Sequence, residues 1–150
     1  MQALSFEEQA RIEGACQRLI YLAAARVDAG DYAAFCGLFT ADGLLVRPDG
    51  SSLSGPDAIL AAYRARPAHR MTRHVVSNTL FFDVSAQSCR ATSLVTLWGC
   101  DSRTVCGPSG YPVEQPLILG EFDDSFHRDE AGWRIATRRA RFLMHTPGKP

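Results

Sequence analysis

The chain lacks the signals of several large functional classes. Neither sign of charge is in excess, with sixteen basic and sixteen acidic residues among 150, so there is no positive surplus to neutralise nucleic-acid phosphates, and nucleic acid is not an expected partner. No apolar run approaches the roughly 20 residues needed to cross a bilayer. The start, Met1-Gln2-Ala3-Leu4-Ser5-Phe6-Glu7-Glu8, has neither the basic nor the apolar region of an export signal. The expectation is a cytoplasmic protein with no membrane partner. Only five cysteines occur, Cys16, Cys36, Cys89, Cys100 and Cys106, and none forms a C-x-x-C pair. Neither a zinc site nor a disulfide framework is therefore suggested. A nucleophilic thiol is the rarer alternative to a buried thiol acting as a small hydrophobe. Glycine-rich phosphate loops and paired histidine metal motifs are missing too, so no metal and no cofactor is predicted. No linker-like stretch divides residues 1–150, which are read as one domain.

What is present is a change of period along the chain. Ser5 and Glu8 form a capping box, and Ile12, Ala15, Cys16, Leu19, Ala23 and Val27 recur at helical spacing until Gly30. Asp31 can cap a second, shorter helix carrying Tyr32, Phe35, Leu38 and Phe39, ended by the turn signal Ala41-Asp42-Gly43. Leu44-Leu45-Val46 reads as a strand, turned back by Pro48-Asp49-Gly50-Ser51 toward Leu53. Pro56 opens a third helix through about Arg66, and Pro67 stops it. From Met71 onward the pattern becomes β-branched and aromatic, predicting antiparallel strands over about 71–84, 89–100, 116–128 and 133–145. The segment from Asp101 to Gln115 is a long loop, placed to cover a pocket. Helices followed by a run of strands indicate an α+β fold with the helices on one face of a curled sheet, a cone filled by side chains or by a ligand.

Three residues stand out chemically. Asp28 falls near the carboxyl end of the first helix, where the helix dipole disfavours a negative charge; it is either a solvated acid or cap, or an inward support for a histidine. His74 shares strand parity with Val76, Asn78, Leu80 and Phe82, so it is either a satisfied core imidazole or a general base in a pocket. Arg138 shares parity with Ala136, Ala140 and Phe142. Turned inward, it needs an anion, either a protein carboxylate or charge developing on a substrate. Arg139 and Arg141 are expected to be solvated on the opposite face. Tyr21, Asn78, Phe82, Trp98 and Phe142 are the candidate substrate contacts, and Tyr32 and Tyr63 could also bind a ligand, although aromatics at such spacings are more often core. Glu121, Asp123 and Asp124 supply further carboxylates without a metal motif, and His127 and His145 fall near exposed strand ends.

Five segments, Val27-Asp28-Ala29-Gly30-Asp31, Leu38-Phe39-Thr40-Ala41-Asp42-Gly43, Gly55-Pro56-Asp57-Ala58-Ile59, Thr72-Arg73-His74 and Gly132-Trp133-Arg134-Ile135, together resemble the SnoaL-like families of the nuclear transport factor 2-like superfamily. The resemblance covers nearly the whole chain and implies a cone-shaped barrel, or cystatin-like roll, with three N-terminal helices. In dehydratases and dehydrochlorinases of this kind, an Asp on the first helix supports a His base, and an arginine on the last strand assists in some; Asp28, His74 and Arg138 fall at those positions. The Tyr or Lys acid that many members carry one turn before the Asp is missing, since Ala23-Ala24-Ala25-Arg26 stands there, with Tyr21 or Arg26 as substitutes. The resemblance thus implies a cofactor-independent lyase or isomerase for a small, mainly apolar cyclic substrate. The alternative is a non-catalytic binding or assembly subunit, like the small subunit of ring-hydroxylating dioxygenases, with an oxygenase-type partner. A homodimer is the expected assembly.

Overall fold

The computed structural model describes residues 3–148; Met1, Gln2, Lys149 and Pro150, which the one-domain reading of 1–150 and the reading of the amino terminus include, lie outside them. Two helices, a short hairpin and a third helix precede four long strands, and the six strands form one sheet: α1 Phe6–Asp28, α2 Tyr32–Cys36, β1 Phe39–Val46, β2 Ser52–Ser54, α3 Pro56–Arg64, β3 Arg70–Phe82, β4 Ser88–Asp101, β5 Ile118–Asp129 and β6 Gly132–His145. α1 starts where both halves of the capping box close: the Glu8 N–H donates to the Ser5 hydroxyl and the Ser5 N–H donates to the Glu8 carboxylate. Its apolar stripe, Ile12, Cys16, Leu19, Ile20, Ala23, Ala24 and Val27, is buried against the sheet. Ile20, Phe35, Ile59, Phe126 and Ile135 form the middle of the core.

The sheet runs β2-β1-β6-β5-β4-β3. It curves around the helices without closing into a barrel, since β2 and β3 remain edges. It is also mixed rather than wholly antiparallel, because β1 runs parallel to β6. Reaching that partner required the chain to leave α2 early. The helix ends at Cys36, so Leu38 and Phe39 belong to the approach to β1 and to the strand itself, not to the helix. Ala41-Asp42-Gly43 is not a helix-ending turn but a bulge within β1: Phe39 pairs with Ile135, and pairing resumes at Leu44 with Thr137. Glycine is required there, because a Cβ at Gly43 would lie 2.9 Å from the Phe39 Cβ and from the Thr40 carbonyl oxygen.

A second irregularity overturns a parity argument. β3 and β4 pair continuously to Ser77–Leu94 and resume at Leu80–Thr92, with Asn78 in the left-handed region at φ 51°. Thr72, His74 and Val76 face the helices; beyond the bulge Thr79 and Phe81 take over the inner face, and Leu80 and Phe82 turn outward. The long loop from Asp101 does not cover the space between sheet and helices. Its Tyr111 and Val113 lie beside Met71, Val75 and Trp98 on the outer face, away from the cavity between sheet and helices.

Candidate active site

The last turn of α1 and the inner face of β3 meet at Asp28. Thr72 and His74, two residues apart on a strand, point the same way, and both reach the carboxylate. The Thr72 hydroxyl donates to Oδ1 at 3.0 Å, the His74 backbone N–H donates to Oδ2 at 2.8 Å, and the His74 Nδ1 lies 2.6 Å from Oδ1. Burial pushes the Asp28 carboxyl up, but hydrogen bonds from the His74 ring and backbone, attraction to that ring and the Thr72 hydroxyl outweigh it, leaving the group below its ordinary value. These bonds also answer the unfavourable helix dipole at this position. An ionised carboxylate only accepts, so the contact places the ring proton on Nδ1 and leaves the Nε2 lone pair facing away from Asp28. The side chains of His74 and Asp28 are 17% and 11% exposed.

His74 forms part of the wall of a cavity of about 270 Å³ between the helices and the sheet. Small residues create the space: Ala23 and Ala24 on α1, Ala62 on α3, Ala140 on β6 and Gly120 on β5 stand where larger side chains would fill it. Gly120 has no alternative, since a Cβ there would come 2.9 Å from the Arg141 carbonyl oxygen at a register shift. Val27, Phe35, Leu45, Val95, Phe122 and Phe142 add apolar wall. An apolar cavity of about 150 Å³ suffices for one benzene ring, so this one has the scale of a one- or two-ring compound.

Arg138 enters the same cavity from β6. Its anion is a protein carboxylate, Asp124, directly across the β5–β6 pair. Nε and one terminal nitrogen donate to the two Asp124 oxygens at 2.8 and 2.7 Å, and the guanidinium carbon sits 4.1 Å from the Phe122 ring centroid. The pair is almost fully enclosed, 4% and 1% exposed at the side chains. Of the five N–H donors of a guanidinium, the two bonds to Asp124 leave three directed elsewhere.

The remaining sequence candidates divide. Phe142 lines the cavity. Asn78 is exposed at its bulge, Phe82 lies outside against Arg90, 4.7 Å from its guanidinium carbon, and Trp98 is on the outer face. None of these three lines the cavity: the bulge flips parity for the first two, and Trp98 has the opposite parity to Val95 and Leu97. Tyr21 is half exposed, bonded to Gln17, and borders a shallow outer groove where the rim of His74 and Asp28 also emerges. Arg141 is solvated as expected, 67% exposed at its side chain, but it also reaches the edge of the cavity, where it pairs with Glu121 at 2.6 Å. Tyr63, weighed as a ligand contact against a core role, is a wall residue, and sequence reasoning missed Arg66 and Arg47, whose only signals were a helix end and a turn. Burial raises the Tyr63 hydroxyl above its ordinary value despite nearby arginines, so it remains a proton donor. Cys16, Cys36, Cys89 and Cys100 are buried and Cys106 is exposed. Among the described residues no group of three or more His, Cys, Asp or Glu side chains is arranged to hold a metal, and no helix is long and apolar enough to cross a membrane.

A helix-backed, curved mixed sheet with a polar-tipped cavity defines the class as the nuclear transport factor 2-like, cystatin-like fold. The chain belongs to the SnoaL-like domain family, whose model matches residues 8–139. A type 2 hexachlorocyclohexane dehydrochlorinase superposes with a TM-score of 0.79 at 17% identity, over 97% of this chain and 94% of that one. A putative scytalone dehydratase from Novosphingobium aromaticivorans gives 0.76 at 18% identity, over 92% and 88%. An NTF2-like protein with a cystatin-like fold from the same organism gives 0.69 at 22% identity, over 89% and 83%. A comparison with curated protein sequences gives no match.

Proposed function

We propose that the protein is a cofactor-independent lyase or isomerase acting on a small, mainly apolar cyclic compound. The observation that carries this reading is the 2.6 Å contact between His74 Nδ1 and Asp28, with the histidine in the wall of a ring-sized apolar cavity. The names of the dehydratase and dehydrochlorinase that share the fold agree with it. Nε2 takes a proton from a carbon next to the departing group, the C–H electron pair becomes the new double bond, and hydroxide or halide leaves. Asp28 holds the ring and stabilises the imidazolium that forms. Arg138, aligned by Asp124, offers a free N–H to the leaving group or to an oxygen gaining charge. The imidazolium then returns its proton to the departing group or to water, and the base is restored. Tyr63 is the hydroxyl donor in place of the acid missing from α1.

The test is turnover of a panel of cyclic β-hydroxy ketones and halocycloalkanes, followed by product identification. Elimination or double-bond migration by the natural protein that falls about 10²- to 10⁴-fold in His74→Ala is the expected result. Turnover unchanged in His74→Ala would overturn the mechanism. For assembly we propose a homodimer through the outer face of the sheet, where Val75 and Trp98 are 54% and 41% exposed. A monomer in sedimentation equilibrium, or a stably bound oxygenase subunit, would displace that proposal.

A further inference from the structure

The wall of the cavity is unbalanced in charge. Four arginines line it, Arg47, Arg66, Arg138 and Arg141, together with His74, and no aspartate or glutamate does. Two of the guanidinium groups are answered from just behind the wall, Arg138 by Asp124 and Arg141 by Glu121. The other two are not. Arg47 donates its Nε–H to the Ser51 hydroxyl at 2.8 Å but approaches a carboxylate, Asp49, only to 4.0 Å, and that carboxylate already takes the N–H and hydroxyl of Ser51 at 2.9 and 2.6 Å. Arg66 has no carboxylate within 4.0 Å among the described residues; its guanidinium carbon lies 5.4 Å from the Tyr63 ring centroid. Both side chains are part-buried. The plain structural explanation for Arg66 is its place just beyond Ala65, at the carbonyl end of α3, where the helix dipole favours a cation. That accounts for the charge, but not for the place of Arg66 in the wall of an apolar cavity, its guanidinium carbon 5.4 Å from the Tyr63 ring centroid and, among the described residues, no carboxylate beside it.

We propose that the ligand of this cavity carries a carboxylate, and that Arg66, supported by Arg47, is the residue pair that reads it. A planar guanidinium matches a carboxylate with two parallel hydrogen bonds. The arrangement suits one negative charge rather than a phosphate dianion, because α3 presents its carbonyl end near Arg66 and not the amide end that would help cradle phosphate. The inference rests on the cavity being the substrate site, as proposed above. It adds that the cyclic substrate is an acid, held by its carboxylate while its ring occupies the apolar part. Arg66 acts here as a specificity-determining residue and takes no part in proton transfer.

The test is calorimetric binding of cinnamate and of its neutral isostere cinnamamide to the full chain and to Arg66→Gln, Arg47→Gln, the double variant and His74→Gln. The natural protein should bind cinnamate about tenfold or more tightly than cinnamamide, as one charge-assisted contact supplies. Arg66→Gln should bring the two affinities together while leaving that for cinnamamide unchanged, which also shows that the variant is folded. Arg47→Gln should give a smaller loss of preference. His74→Gln should keep the preference. Equal binding of the two compounds by the natural protein, a preference that survives the double variant or disappears in His74→Gln instead, or no binding of either compound overturns the inference. If the preference tracks Arg66 while no member of the substrate panel, widened to cyclic β-hydroxy and halo carboxylic acids, is turned over, the lyase reading fails and the carboxylate site stands.

Discussion

Two acid–base pairs reach the same cavity and are built differently. Asp124 and Arg138 face each other across adjacent strands, satisfy both carboxylate oxygens and are sealed from solvent. Asp28 and His74 join a helix end to a strand, also satisfy the carboxylate, but leave one ring nitrogen free at a cavity and one rim open to an outer groove. In the first pair the charge is permanent and locked. In the second the partner is the side chain whose ionisation lies nearest neutrality among the common types. The contrast separates a pair that fixes the shape of a site from a pair able to pass a proton through it.

The sharpest way to break this contrast is Asp124→Ala, which leaves the Arg138 charge buried without a partner. A loss of about 3–5 kcal/mol is expected in denaturant unfolding, whereas replacing both members by Leu and Met should recover much of that stability without recovering turnover. His74→Ala should do the opposite, costing about 10²- to 10⁴-fold in turnover with a far smaller change in the melting temperature. Asp28→Asn should weaken turnover and also alter the acid limb of stability. The fold holds this carboxyl below its ordinary value, so it adds stability above about pH 3.9, and that contribution fades as the pH falls below. Unfolding curves of Asp28→Asn and the natural protein should therefore converge in acid and separate toward neutrality. Gly120→Ala comes next, with a cost of about 1–3 kcal/mol from crowding against the Arg141 carbonyl. Least affected should be Glu121→Gln, because its partner Arg141 is 67% exposed at the side chain and such pairs contribute about 0–1 kcal/mol.

The regular parts of the molecule were legible in the sequence, and the irregular parts were not. The α1 capping box, the four long strands and the start of α3 announce themselves by local chemistry. Alternation also turned Arg138 inward correctly, yet its partner Asp124 is set by β5–β6 register, which no local pattern encodes. Asp28 and His74 came together through the family resemblance, since a helix end and a strand 46 positions apart share no spacing rule. Several of the failures fall at bulges. One near Asn78 removed Asn78 and Phe82 from the site, and the one through Gly43 disguised a strand as a turn. Tyr63 could not be told from a core aromatic, and Arg66 escaped notice because an arginine at the end of a short helix looks like a cap.

The parallel pairing of β1 with β6 sets Leu45 beside Arg138, bringing an early part of the polypeptide against its last strand. Loop closure over such a span carries an entropic cost that nearer contacts do not. During synthesis the helices and the β3–β4 hairpin can form while β6 is still within the ribosome, but β1 must wait for its neighbour, and Asp124 for its counter-charge. The cavity is thus a late product of folding, assembled only when the two ends of the fold meet.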